Sequence, residues 1–430
     1  MKYLKRFDDH ADYTAYTATT SFVRPNTSVC DQEDEVHYNP LIPPDYPNEY
    51  LTFVAKADGT FKFSGSTTAN TLSYSLDNGS TWVALADNTD TPTITSGRKI
   101  IWKGACTPQR LKGVGRFSST AQFDVEGNAM SLLFGDDFKE KTSLVGKNYA
   151  FYGLFYENTN IVNAKNLILP ATTLSDYCYC IMFASCHNLT TTPELPATTL
   201  VKKCYSSMFQ GCTSLTKAPE LPATTLAEDC YASMFNSCTS LTTAPSVLPA
   251  TDLSGAYYCY SAMFTKCTSL TTTPVISATT LGAYCCSNMF NSCTSLTTAP
   301  QLPAATLANS CYMGMFSGCT ALTESTALPA TTLANSAYTN MFSGCISLTT
   351  APELPATTLA NECYYEMFRG CTSLNSVTCL ATDKSANSCT YNWLRDVASS
   401  GTFKKAASMT SWTTGVSGIP TGWTVVDASA

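Results

Sequence analysis

The chain has 430 residues, a formal net charge of −7 and only 13% charged side chains, while 44% of its residues are hydrophobic. A chain of this length has room for a large core and for two or three units of organisation. The acidic balance argues against nucleic acid as a partner. The sequence holds no apolar run of about eighteen residues, so no transmembrane helix is predicted.

Residues 1–48 predict an arm that docks to another protein. Leu4, Phe7 and Ala11 fall on one side of a short amphipathic helix. The proline-rich run at 39–44 predicts an extended linker after it. The basic residues at the start are not followed by an apolar stretch, so we do not expect a secretory signal peptide.

Residues 49–107 predict a small all-β, sandwich-like domain, because short β-prone runs alternate with turns at 57–59 and 77–79. Residues 108–153 predict the N-terminal cap of a repeat array, with a strand over 117–125 and an imperfect repeat motif at 132–134. Residues 400–430 break the repeat period and predict a C-terminal cap, with Trp412 and Trp423 as bulky plugs.

Between these caps, residues 154–399 repeat one motif about nine times. A Met-Phe pair marks the copies, and neighbouring copies are 26 residues apart, except for one step of 29. The marker positions are Met182, Met208, Met234, Met263, Met289, Met315, Met341 and Met367, with Trp393 in the ninth. A fixed period of this length is typical of a solenoid, in which each unit buries its apolar face against its neighbours.

The spacing within one unit predicts a helix followed by an extended segment. Cys204, Met208 and Cys212 lie four residues apart, which predicts one stripe of a two-turn helix. An extended segment begins at Leu215 and ends at Pro219, which has no amide hydrogen to donate. The return carries Leu-Pro-Ala-Thr-Thr-Leu, and the three extra residues of the 29-residue step fall in it.

The motif Phe-x-Gly-Cys-x-x-Leu-Thr, a Leu-Pro and the next Cys-Tyr-x-x-Met-Phe resembles the leucine-rich repeats of BspA-like bacterial surface proteins. It is also similar to the Met-Phe repeats of bacterial lipoproteins. The resemblance covers about residues 148–397. Together with the unit above, it predicts an α/β solenoid: a leucine-rich-repeat-like, right-handed coil of about nine 26-residue repeats, preceded by the small all-β domain.

Most of the 21 cysteines fall in two columns of the repeat. The first column, four residues before the Met, holds Cys178, Cys204, Cys230, Cys259, Cys285, Cys311, Cys363 and Cys389. The second, four residues after it, holds Cys186, Cys212, Cys238, Cys267, Cys293, Cys319, Cys345 and Cys371. Ala337 and Val397 interrupt these columns, which favours a buried ladder of small free thiols. Disulfides between adjacent coils are the alternative, because positions i and i+8 of one helix are about 12 Å apart.

No catalytic, cofactor or metal site is predicted. The three histidines are widely spaced and no Cys-x-x-Cys repeats. A pairing of His187 with Cys186 is open, but a surface position is favoured. The acid pairs Asp8-Asp9 and Asp136-Asp137 have no repeated partner that would indicate a glycosidase.

Two columns suggest binding to a ligand. One consists of tyrosines three residues before the Met: Tyr179, Tyr205, Tyr231, Tyr260, Tyr312, Tyr338 and Tyr364. These rings either stack on sugars or, as we favour, close the edge of the core. The other is a threonine stripe in the return: Thr198, Thr199, Thr224, Thr225, Thr357 and Thr358. That stripe either meets glycans or is the solvated face of a loop.

The order of parts adds a second resemblance. The opening RFDDHADYTAY, the YSLDNGSTW of the β domain and the closing GTFKKAASMTSW are similar to repeat proteins encoded by gut Bacteroides phages and prophages. This resemblance implies a virion-associated fibre or decoration protein, a symmetric oligomer such as a trimer, displaying its repeats to host glycans or outer-membrane proteins. The alternatives are a bacterial cell-surface adhesin and a polysaccharide-degrading tailspike.

Overall fold

The structure is a computed structural model that describes residues 48–65, 72–105, 115–410 and 412–428. Over these residues the chain forms a β-solenoid of about seven turns, with a β region on its N-terminal side and almost no helix. Residues from Asp45 onward form one compact unit. The predicted arm, with its helix and its linker, lies outside the described residues except for Asn48. No helix in the described ranges is long and apolar enough to span a membrane.

The N-terminal β region is built from nine strands. They are β1 (Leu51–Ala55), β2 (Phe61–Ser64), β3 (Leu72–Ser75), β4 (Val83–Leu85), β5 (Lys99–Gly104), β6 (Arg116–Ser119), β7 (Phe123–Asn128), β8 (Ile161–Asn163) and β9 (Leu167–Ile168). Seven of them form one sheet in the order β4-β3-β5-β1-β7-β8, with β9 also pairing with β7, while β2 and β6 form a separate antiparallel pair. Rings of that pair, Phe61 and Phe117, pack at 5.3 and 4.8 Å from Phe53 of β1, which gives the region a sandwich-like core.

Strand β7 connects this sheet to the solenoid. It runs antiparallel to β1, with Phe53 opposite Val125, and parallel to β9, with Gly127 opposite Leu167. Gly127 has a φ of +77°, and a Cβ there would lie 2.1 Å from the Tyr50 carbonyl oxygen, so only glycine fits. The sheet therefore continues past residue 107, and the single strand predicted over 117–125 is in fact β6 and β7, separated by a short turn. A one-turn helix α1 (Ser131–Phe134) and a 3-10 turn (Gly135–Phe138) follow.

The predicted two-turn helix is wrong. Cys204–Cys212 is a chain of tight turns, in which the residues at every fourth position adopt the left-handed conformation. Lys203, Ser207 and Gly211 have φ values of 54°, 53° and 73°. We call this segment, which recurs in each coil from the residue before the first cysteine column to the second column, the turn ribbon. Its period is four residues, whereas a helix has a period of 3.6, so the even spacing of inward residues was misread as a helical stripe.

Hydrogen bonds explain why the turn ribbon needs no helix. The amides of Ser206, Met208 and Gln210 bond to the carbonyl three residues earlier, at 3.1 to 3.3 Å. The amides between them bond to the next coil, as for Tyr205 to the Cys230 carbonyl at 3.0 Å. Alternate amides thus pair within and between coils, so the backbone donors of the ribbon are satisfied.

The predicted α/β class is therefore wrong, since the solenoid is built from β-type pairing. The expected count of nine coils is also too high, at about seven turns. The end copies are tied to the caps: Phe155 stacks on Phe117 at 5.9 Å, and Trp393 stacks on Trp412 at 5.5 Å, the plug expected there. The regular coils lie between Met182 and Met367.

The remaining strands occur in the return segments and at the C-terminal end. They are β10 (Val247–Leu248), β11 (Val275–Ile276), β12 (Ser376–Cys379), β13 (Thr402–Lys405) and β14 (Thr424–Asp427), all in parallel pairs. Elsewhere single parallel bridges join the coils, such as Thr199 to Thr225 and Lys217 to Thr243. Strand β10 lies in the longer 29-residue step, where the extra residues were expected. Equivalent residues of successive coils therefore lie in register on the same side of the solenoid.

The left-handed positions of the turn ribbon should set its tolerance to substitution. Gly370 has a φ of +73° and no close neighbour, so Gly370→Ala should lower the free energy of unfolding by about 1 kcal/mol through backbone strain alone. Gly255 has open space around it and no positive φ, so Gly255→Ala should leave stability unchanged or raise it slightly. Urea unfolding followed by circular dichroism measures both, and equal effects of the two changes would contradict the assignment.

Candidate binding surface

The tyrosine column proposed for sugar stacking is buried. Tyr179, Tyr205 and Tyr231 are at most 1% exposed, and their rings stack face to face at 5.5 and 5.8 Å. Burial also raises the pKa of these phenols well above 10. Each ring is covered by the rings of the coils on both sides, so this column closes the core, as favoured, and has no face for a ligand.

The cysteine columns are also buried. All the cysteines in the described ranges are free, and all are buried. In the second column each thiol donates to a phenylalanine carbonyl of the preceding coil, as Cys212 does to Phe183 and Cys238 to Phe209, both at 3.1 Å. The described residues contain no cluster of three or more metal-ligating side chains. These thiols therefore pack the core and join neighbouring coils.

Burial makes these thiols unreactive. Desolvation raises the pKa of Cys230, Cys238 and Cys319 to about 12, from 9.0 in the exposed side chain. The thiolate is the nucleophile and the metal-binding form of cysteine, and it is scarce at neutral pH when the pKa is this high. Nucleophilic chemistry is therefore not assigned to either column.

The single polar candidates do not form a site. His187 is exposed, and its Nδ1 donates to the Gly211 carbonyl at 2.9 Å, while the neighbouring Cys186 thiol donates to Phe155. His187 therefore occupies the surface position that was favoured, and its imidazole does not pair with the Cys186 thiol. Asp136 accepts from Lys103 at 2.8 Å, and this bond holds the pKa of its carboxyl below the usual value. Asp8-Asp9 lies outside the described residues.

The threonine stripe is exposed, as expected for a solvated face. Thr198, Thr199, Thr224 and Thr225 all lie on the surface, and Thr199 bridges in parallel to Thr225 of the next coil. Threonines of the preceding segment instead turn their hydroxyls to the backbone, as Thr242 does to the Thr216 carbonyl at 3.1 Å. The stripe is a mostly uncharged surface along the return, interrupted by Asp252 and Asp383 in the same column.

A different tyrosine set lies at the start of the turn ribbon, with one ring exposed and three partly exposed. Five residues before the Met slot stand Tyr149, Tyr177, Tyr258 and Tyr284, which we call the outer tyrosine column. Tyr149 stacks on Tyr177 at 4.6 Å, and Tyr258 stacks on Tyr284 at 4.7 Å. Tyr258 is 39% exposed, so the stacked pairs leave ring surface open to solvent.

Two charged residues fill the coils between these pairs. Lys203 lies 5.8 Å from the ring of Tyr177 and forms an ion pair with Asp229 at 3.6 Å. Partial burial raises the pKa of Asp229, with Lys203 acting in the opposite direction. The result is a continuous outer row of ring, ring, cation, anion, ring and ring.

The fold sets the backbone conformation at these tyrosines but does not require their rings. All four are left-handed, with φ values between 57° and 64°. This conformation costs roughly 1–2 kcal/mol in a non-glycine residue. The same position in later coils holds Ser310, Ser336 and Ser388, which are also left-handed. Because residues as different as serine, lysine and aspartate occupy this position, packing of the coils does not require a ring there, and the tyrosines call for another role.

Sequence reasoning missed the outer tyrosine column because the helix prediction did not distinguish an outward position five residues before the Met. The tyrosines occupy only some coils, so the column does not stand out as a repeat. The signal that was present is positional: tyrosines recur at a fixed offset in otherwise small or polar positions.

Comparison with known proteins gives no family. No protein-family model matches the sequence, and no curated protein matches it significantly. The function is therefore argued from the surface of the molecule.

The buried thiols should make the protein sensitive to alkaline pH. Their pKa is about 9 in the unfolded chain and about 12 in the folded one, so they bind more protons when folded. The stability they contribute is complete below pH 9 and is lost as the pH rises toward 12. In this window each such thiol lowers the free energy of unfolding by about 1.4 kcal/mol per pH unit. The combined loss from several thiols exceeds the whole free energy of unfolding of a typical domain, about 5–15 kcal/mol, within roughly one to two pH units.

Thermal unfolding between pH 7 and 12, in the presence of a reductant, measures this loss. The Tm should stay level to about pH 9 and then fall steeply. Cys230→Ala serves as the control, because Ala337 already occupies that column in another coil. Because this variant has one thiol fewer to ionise, its free energy of unfolding should fall less steeply with pH, by the contribution of one proton. A Tm that stays level to pH 11 would contradict the burial of the thiols.

Proposed function

We propose that the chain is a non-enzymatic adhesion protein, carried on a phage particle as a fibre or decoration protein. Its solenoid presents the outer tyrosine column to glycans of the host surface. The observation that carries the proposal is the stacked, at least partly exposed tyrosine pairs at a position that serine fills in other coils. No catalytic group is needed for this role.

The chemistry of the column suits sugar rings. Tyrosine offers an apolar ring face with a hydroxyl at its edge, which matches the apolar face and hydroxyl rim of a pyranose. Lys203 and Asp229 supply a donor and an acceptor between the two ring pairs. The column spans five coil steps of about 4.8 Å, so a chain of several sugars lies along it.

Weak contacts on successive coils add to a useful affinity. A single stacked ring contributes about 0.5–1.5 kcal/mol, which is too little alone. Several rings on a rigid scaffold act together, and several copies on one particle add avidity. The stiffness of the scaffold, set by hydrogen bonds between all neighbouring coils, keeps the loss of conformational entropy on binding small.

The virion part of the proposal rests on the order of parts along the chain, which resembles phage-encoded repeat proteins. In this arrangement the arm over 1–48 docks to the particle and the β region acts as a spacer. The subunits then form a symmetric oligomer, by analogy a trimer.

Removing the tyrosine rings should abolish binding without unfolding the protein. Tyr258→Ser with Tyr284→Ser should weaken binding of host surface polysaccharide about 10- to 100-fold, from the loss of two stacked rings. Surface-bound polysaccharide and biolayer interferometry measure this. The Tm should be unchanged or higher, because serine is the residue of other coils. Tyr365→Ser with Tyr391→Ser, a stacked pair at another position with ring centres 5.3 Å apart, is the matched control. Equal binding by both double variants would contradict the role of the column.

A second measurement tests the location. Mass spectrometry of purified phage particles from the host that encodes this chain should recover it in stoichiometric ratio to the capsid and tail proteins. Envelope fractions of the uninfected host provide the control. Recovery in the envelope with absence from particles would contradict the virion part and leave a cell-surface adhesin.

A further inference from the structure

A cleft opens where the first turn ribbon meets the β region. Its volume is about 430 Å³, and it is lined by Ser64 at the end of β2, Arg116 at the start of β6, and Tyr152, Tyr156 and Ile181 of the first coils. Ligand pockets commonly have volumes from about 300 to 1,000 Å³. The cleft is therefore large enough for one sugar ring with its ordered water.

The apolar side of the cleft contains an unusual residue. Ile181 has a φ of 49°, although a β-branched side chain strongly disfavours the left-handed region. The same position of other coils holds Ser207, Ala262 and Gly314. The Ile181 side chain reaches over Gly153 of the preceding coil. A Cβ added at Gly153 would lie 3.6 Å from the Cδ1 atom of Ile181. The fold does not require isoleucine here, so the apolar floor it gives the cleft is its distinguishing contribution.

The polar side carries the Arg116 guanidinium, whose ion-pair partner Glu157 lies beside the lining residues. Arg116 Nη1 lies 3.0 Å from Glu157 Oε2, and both side chains are about half exposed. The guanidinium also lies 6.0 Å from the ring of Tyr156, and a hydrogen bond to Glu157 raises the pKa of that phenol. A guanidinium donates to sugar hydroxyls and a carboxylate accepts from them. Because the two charges balance, the rim favours a neutral ring over an acidic one.

The cleft is continuous with the outer tyrosine column. The ring of Tyr152 lies 5.6 Å from that of Tyr149, which stacks on Tyr177. We infer that the cleft is an end subsite that holds one neutral pyranose ring, over Ile181 and Tyr152, with its hydroxyls bonded to Arg116 and Glu157. This inference rests on the proposed function, since the ring is the terminal residue of the glycan that lies along the column.

Isothermal titration calorimetry on the full chain tests the subsite. The probes are neutral oligosaccharides ending in glucose, galactose, mannose or N-acetylglucosamine, and matched oligosaccharides ending in a uronic acid. At least one neutral probe should bind tenfold or more tightly than its acidic counterpart. Ile181→Ser should raise its Kd at least tenfold with an equal or higher Tm, because serine at 207 fills the same position without a β-branch. Arg116→Gln should raise the Kd to a similar extent. Ser207→Ala, in the next coil, is the control and should leave the Kd unchanged.

The outcomes separate the subsite from the column. Unchanged binding in Ile181→Ser and Arg116→Gln, together with lost binding in Tyr258→Ser/Tyr284→Ser, would overturn the subsite and leave the proposed function standing. A preference for the uronic acid probes would overturn the assignment of a neutral ring to the subsite. If the unaltered protein binds none of the probes, the subsite and the proposed function both fail.

Discussion

The structure depends on one constraint, the alternation of hydrogen bonds along the turn ribbon. Every second amide bonds to the carbonyl three residues earlier, and every other one bonds to the next coil, as Phe209 does to Met234 at 3.0 Å. This alternation requires a left-handed residue at every fourth position. The coils are then held at the spacing of neighbouring β-strands, about 4.8 Å, without long strands. The order of inward and outward side chains follows directly from it.

Coil spacing decides which side chains the core accepts. Equivalent residues of adjacent coils lie directly over each other, so flat rings stack, as Phe290 and Phe316 do at 5.7 Å with parallel planes. Cysteine suits the second column because its thiol is small, apolar and still a weak donor. Cys293, for example, donates to the Phe264 carbonyl at 3.1 Å. A first-column residue has no such repeated bond, which is why Ala337 is accepted there. The cysteine content thus follows from packing.

The sequence predicts the solenoid but not its local geometry. The 26-residue period and the anchoring role of the Met-Phe pair follow from the pattern, because stacked coils must bury the same positions. The helix prediction failed because a period of four resembles 3.6 over only nine residues. Left-handed Ser, Lys and Tyr at positions such as Lys203 and Tyr258 carry no sequence signal, since these residues rarely adopt that conformation. The end copies, with Phe155 and Trp393 at their markers, depart from the motif in sequence and pack against the caps.

The same constraint separates folding from recognition. Each coil is stabilised by its immediate neighbours, so an outward residue is exchanged with little effect on the stack. Small or polar residues fill most of the left-handed positions, so large apolar side chains there call for a role other than stability. Ile181 is such a side chain and lines the cleft with Arg116, while Tyr149 and Tyr177 are joined to the cleft through the ring of Tyr152. The β region therefore has two roles: it covers the first coil, and through Arg116 it supplies the cation of the cleft, which pairs with Glu157 of that coil.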